Sequence, residues 1–156
     1  MARFSQSMLA HQGPRGPKRG LRAFVRCGRG STLVEFALLA PTLIVLLLGI
    51  VGYGGYFYLA HTVQQLANDA ARAAVGGLTS SERQSLASQA VTLDLQSYSF
   101  LSSSSTSVTV NDSNGSSLSV SVVYNAAGDP IYGLQGLVPL PSSTINRVAS
   151  ISLGGY

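Results

Sequence analysis

Six carboxylates, two imidazoles and one thiol are the groups in this chain best suited to acid–base, metal or covalent chemistry. Their spacing leaves little of that chemistry open. His11 lies in a basic N-terminal arm and His61 just past an apolar run, and neither has Cys, Asp or Glu neighbours at metal-ligand spacing. Serines are many, but a nucleophilic serine needs a base and an orienting acid, and the region after the apolar run offers His61 alone. Asp69, Glu82, Asp94, Asp112 and Asp129 are scattered over predicted helix and turn surfaces. They pair into neither a glycosidase-like site nor a metal site. "GYGG" lacks the strand, spacing and lysine of a phosphate loop. No catalytic residue, metal, cofactor or small-molecule substrate is expected, and a membrane-bound hydrolase is set aside.

Glu35 is the exception. It stands in "GRGSTLVEFALLAP", flanked by Leu33, Val34, Phe36 and Ala37 at the start of the apolar run. A carboxylate facing hydrocarbon is costly and ordinarily functional. The nearest cations, Arg26 and Arg29, precede it across Gly30, and no basic side chain follows within the run. Two accounts fit. In the first, Thr32 is a helix N-cap and Glu35 completes a capping box at the positive end of the helix dipole. In the second, a cut after Gly30 would leave Ser31 with a free α-amine, a cation at the right depth to pair with Glu35 of an adjacent copy.

The elements that position this residue follow from charge and hydropathy. Residues 1–30 hold Arg3, Arg15, Lys18, Arg19, Arg22, Arg26 and Arg29 with no acid, a charge of +7. Residues 31–156 set three arginines against six acids, a charge of −3. The high pI therefore belongs to a Gly-, Pro- and Arg-rich leader, read here as disordered. Phosphate contacts by such an arm are conceivable, but its charges stop where the apolar run starts, so no nucleic-acid partner is expected. Phe36 to Ala60 is 25 residues without a charge. As helix that is about 37 Å, against a hydrocarbon core of about 30 Å. The basic flank puts the N-terminus in the cytoplasm and the C-terminal domain outside. The run is long for a cleaved secretory signal, and Tyr53, Tyr56 and Tyr58 near its end suit an interfacial belt. Cys27 falls on the cytoplasmic side, so the exported part has no intramolecular disulfide.

The expected fold class is α+β. A transmembrane helix at 31–60 starts near Ser31 or Thr32, carries Pro41 as a kink, and continues as an amphipathic helix to about residue 76. Leu59, Val63, Leu66, Ala70 and Ala74 form its inner stripe. "VGG" stops it, and "TSSE" opens a second helix at about 80–97 with a Thr79–Glu82 capping box and a stripe of Leu86, Ala90 and Leu93, with Ala87 and Val91 alongside. Strands are expected at about 106–111, 117–124 and 145–153, the first two joined by "NDSNG". "DPIYGLQGLVPLPSS" reads as an apolar loop with three prolines. Residues 61–156 then form one extracytoplasmic domain, a three-stranded antiparallel sheet packed on the helix.

"GSTLVEF", Gly30 to Phe36, is similar to the type IV prepilin cleavage motif: glycine, four residues, then glutamate and an aromatic residue. The longer stretch "GRGSTLVEFALLAPTLIVLLLGIVGYGGYFYLAHTVQQLANDAARAAVGG" resembles the TadE-like family of tight-adherence pseudopilins. Glu35-Phe36, Pro41, the glycines near the outer end and the following "NDAARAA" helix carry the likeness, over about a third of the chain. The resemblance implies a minor pseudopilin or assembly component of a Flp-type tight-adherence pilus, in the cell (inner) membrane. It implies cutting by a prepilin peptidase between Gly30 and Ser31, and an assembly contact through Glu35 and Phe36. Its partners would be the lipid bilayer, other pilins or pseudopilins, the assembly machinery and the peptidase. The competing expectation is a single-pass anchor presenting an adhesion or binding domain outside any pilus system.

Overall fold

The structure, a computed structural model, describes residues 28–112 and 115–153. Most of the expected leader thus lies outside the described residues, as do Ser113 and Asn114 of the hairpin turn. The chain divides into two compact units, residues 1–40 and 41–156. Helix α1, Gly28–Ala74, contributes to both. It is already helical at Gly28, the first described residue. Thr32 is therefore inside the helix and cannot be its N-cap, which removes the capping-box account of Glu35.

In the second unit the C-terminal part of α1 supplies the core. Leu59, Val63, Leu66, Ala70 and Ala74 are all buried, while Gln65, Asn68, Asp69 and Arg72 are exposed. This is the stripe the three-four spacing dictates. The helix ends ahead of Gly76 and Gly77, whose amides bond the carbonyls of Ala73 and Ala74. Gly77 is needed for close approach rather than for a left-handed backbone. A β-carbon there would stand 2.7 Å from the Arg83 amide nitrogen.

Helix α2, Ser80–Leu95, opens with the expected capping box: the Glu82 amide donates to the Thr79 hydroxyl and the Thr79 amide to the Glu82 carboxylate. Its buried side chains are Ala87, Val91 and Leu95, whereas Leu93 is 64% exposed. Of the expected stripe, Ala87 and Val91 are buried, Leu86 and Ala90 are half-buried and Leu93 faces out, so the inward face is rotated toward Ala87, Val91 and Leu95. α2 is weakly amphipathic, with Ser and Gln on every side, so small residues that permit close approach to its neighbours decide which face goes in.

Strands β1 (Thr106–Asn111), β2 (Ser117–Asn125) and β3 (Thr144–Ser152) form an antiparallel sheet in the order β1-β2-β3. In β2, Leu118, Val120, Val122 and Tyr124 are buried, and Ser119 and Ser121 face away, bonding Ser150 and Asn146 of β3. One face is apolar and one polar, as a half-buried antiparallel sheet requires. Gly115 closes the β1–β2 turn at φ 63°, the one described residue needing a left-handed backbone. The buried face joins α1 and α2 in a single core with Ile145 and Ala149 of β3. The fold is α+β, as the patterning implied.

Candidate assembly site

The sequence-expected site residues sit at the N-terminal end of α1. Gly30 and Ser31 are within the helix, and Glu35 and Phe36 follow on exposed surface, Phe36 at 65%. Ser31 and Glu35 are four residues apart in one helix and so share a face. Pro41 lies inside α1, where it offers no N–H to the Ala37 carbonyl. From Thr32 to Leu47 every residue except Ala40 is exposed, a continuous apolar surface interrupted by Glu35. The helix is long and apolar enough to cross a membrane.

Further along, α1 meets a partner that sequence reasoning passed over. Gly49, Gly52 and Gly55 lie at three-residue spacing, and the segment between β2 and β3 packs on them. A β-carbon on Gly55 would stand 2.8 Å from Ile131 Cγ2, and one on Gly52 2.8 Å from Leu140 Cδ2. Val138 Cγ1 lies 4.0 Å from the corresponding point on Gly49. A β-carbon at Gly55 or Gly52 would force the facing side chain to shift, whereas one at Gly49 would make ordinary contact. The Tyr53 hydroxyl donates to the Pro139 carbonyl at 2.7 Å, so this tyrosine fastens the segment to α1. Tyr58 meets Phe100, from the link after α2, with ring centres 5.0 Å apart. The signals were present in the glycine spacing and the uncharged "PIYGLQGLVPLP", but neither names its partner alone.

The ionisable side chains of the second unit mostly serve architecture. Asp112 accepts from the Ser80 hydroxyl at 2.7 Å and from Arg83 Nη1 at 3.0 Å, tying the β1 end to the first turn of α2. The Ser80 bond and then Arg83 hold its carboxyl below the usual carboxylate range. Amides of Leu78 and Thr79 do the same for Glu82. Tyr124 donates to Asp129 at 3.0 Å, and burial together with that carboxylate pushes its phenol up to about 12. His61 lies on the exposed side of α1, lining one hollow with Phe57, Ala60, Gln64 and Arg147 and another with Gln65, Asn68, Asp69, Arg72 and Tyr98. Among the described residues no three His, Cys, Asp or Glu side chains come together at metal-binding distance.

These features define an α+β protein whose first helix can cross a membrane and whose small sheet packs on the same helix's C-terminal part. Residues 30–72 match the family model described as TadE-like protein. The match spans α1 from the glycine of the cleavage-like motif almost to the helix end, and it bears out the resemblance read from those residues. α2 and the sheet lie beyond it. No curated protein and no solved structure matches the chain.

Proposed function

We propose that the chain is a minor pseudopilin or assembly component of a tight-adherence, Flp-type pilus or related secretion system. It is anchored in the cytoplasmic membrane by α1, with the basic N-terminus inside and the sheet outside. The observation that carries this reading is the family match over α1, which includes Gly30, Glu35-Phe36 and Pro41. A prepilin peptidase cuts between Gly30 and Ser31. Because the uncut backbone is helical there, the peptidase must open it, and Gly28 and Gly30 each weaken that turn by about 1 kcal/mol relative to alanine.

The cut also accounts for Glu35. It places an α-amine, with an ordinary pKa of about 7.7–8.0, on the first residue of a helix. A cation there opposes the helix dipole. A carboxylate one turn in from the end of a neighbouring copy relieves that conflict and brings two apolar helices side by side. Phe36 adds apolar contact, and Pro41 bends or loosens the helix for packing. The protein's work is then structural: its partners are the bilayer, other pilins or pseudopilins, and the assembly machinery.

Mass spectrometry of the protein purified from a host with an active prepilin peptidase tests the proposal. A mature N-terminus at Ser31 supports it. An intact leader in that host, while known prepilins are processed, overturns the cleavage step and favours a plain anchor.

A further inference from the structure

The segment between β2 and β3 is seated where the bilayer should be. A spanning helix needs about 20 apolar residues, and counted from Phe36 that requirement is met at about Gly55. Gly49, Gly52 and Gly55 all fall within the count, and they are the positions against which Val138, Leu140 and Ile131 pack. These side chains therefore stand at membrane depth, beside the outer end of the span. The ring pairs Tyr56–Phe57 and Tyr58–Phe100 begin just beyond it, where amphipathic and aromatic rings mark a membrane–water boundary.

The segment's chemistry suits that depth. No charge occurs from Pro130 to Asn146, a stretch of 17 residues. Leu137, next to the buried Val138, is an apolar side chain left 64% exposed. Irregular backbone is excluded from hydrocarbon unless its polar groups are satisfied or covered. Pro130, Pro139 and Pro141 have no N–H to satisfy. The amides of Tyr132, Gln135, Leu137 and Val138 bond carbonyls of the same segment, and the Tyr53 hydroxyl takes the Pro139 carbonyl.

We propose that residues 130–141 enter the outer leaflet beside α1, with lipid acyl chains covering Leu137. The anchor is then a helix plus a wedge, and the sheet is held close to the bilayer instead of swinging on a single helix. This rests on α1 crossing the membrane, as proposed above. A bilayer is favoured over a second protein copy because the segment's own helix seat already lies within the span.

The chain contains no Trp, so one introduced Trp reports alone. Leu137→Trp is made in the full chain, with Ile44→Trp in the span and Leu78→Trp in the exposed α1–α2 turn as references. Each is reconstituted in phosphatidylcholine vesicles with and without bromine on the acyl chains. Leu137 is exposed, so the larger ring needs no repacking. Insertion to about 5–10 Å gives Leu137→Trp a blue-shifted emission, cut by about half or more with brominated lipid, while Leu78→Trp is unaffected. Water-like, unquenched emission from Leu137→Trp with Ile44→Trp quenched overturns the wedge and leaves the span intact. A blue shift without lipid quenching, growing with protein density, means that a second copy covers Leu137, and it also overturns the proposal. If Ile44→Trp is unquenched, the spanning reading fails and the wedge with it.

Discussion

Gly55 of α1 and Ile131 of the β2–β3 segment meet so closely that the glycine's missing β-carbon is what allows the contact: placed there, it would lie 2.8 Å from Ile131 Cγ2 and 3.7 Å from its Cβ. The adjacent Gly54 has nothing within 4 Å of its own β-carbon position. Two neighbouring glycines thus have opposite duties. Gly55 serves packing, and Gly54 leaves an open helix surface.

A large side chain at Gly55 should therefore force the segment off α1. Gly55→Leu is expected to cost about 1–3 kcal/mol, the ordinary penalty for overpacking a close contact. Gly54→Leu should be neutral or slightly stabilising, since leucine favours helix more than glycine does. Denaturant unfolding of the two variants in the same detergent measures the difference. Equal stabilities would mean that the segment can repack around a leucine at Gly55.

Glu35 should matter for assembly and little for insertion. Its carboxylate lies four residues beyond Ser31 on the same helix, at the end that the proposed cut would convert into a new N-terminus. Glu35→Ala is expected to leave the amount of protein in the membrane fraction unchanged. Co-purification with sister subunits should fall by about tenfold, the equivalent of about 1.4 kcal/mol. Glu35→Asp, which keeps the charge on a shorter stem, should recover part of it. Undiminished co-purification and piliation in Glu35→Ala would remove the residue from the assembly contact.

What could be read from the residues depended on how local the cause was. The β2 alternation, the Thr79–Glu82 box and the Leu59–Val63–Leu66 stripe each depend on neighbours a few positions away, and each is present as read. The α2 face was read only in part: Ala87 and Val91 are buried as expected, but Leu93 faces out and Leu95 goes in, because only close approach to the rest of the core decides between competing apolar positions. Tyr53 reads as an interfacial tyrosine until Pro139, 86 residues away, accepts its hydroxyl proton. At the N-terminal end of α1 the motif was fully visible, but the helical state of Gly28–Ser31 was not, because three glycine and serine positions in four argue for a break.

Gln84 bears on sheet order in a way no local pattern reveals. Its amide donates to the Val108 carbonyl and accepts from the Val110 amide, both at 2.9 Å, so one side chain serves the outer edge of β1 as another strand would. Gln84→Ala should cost about 1–3 kcal/mol by leaving a half-buried N–H without that acceptor. Gln84→Glu should do no better, because the donor to Val108 becomes a carboxylate facing a carbonyl. Hydrogen exchange at the Val110 amide is the direct readout. It should accelerate in Gln84→Ala, and an unchanged rate would mean that the edge is protected by something else.

The acids of the second unit should give stability a pH dependence with two opposing parts. Asp112 and Glu82 have carboxyls held down, chiefly by the Ser80 hydroxyl and by the Leu78 amide respectively. Their bonds stabilise the fold above the unfolded carboxylate pKa of about 3.9–4.3, and that stabilisation is lost as pH falls through their lower folded values. Asp94 is shifted the other way, first by burial and then by the negative charge of Asp69. It favours the fold while protonated and opposes it once pH rises through its raised value. Asp112→Asn should therefore lower the melting temperature at pH 7 and flatten its fall in acid. Asp94→Asn should raise it at pH 7 and change it little below the carboxylate range. Melting curves of the full chain in nanodiscs at several pH values separate the two. If Asp112→Asn matches the parent at pH 7, the link from Asp112 to Ser80 and Arg83 contributes nothing to holding β1 against α2.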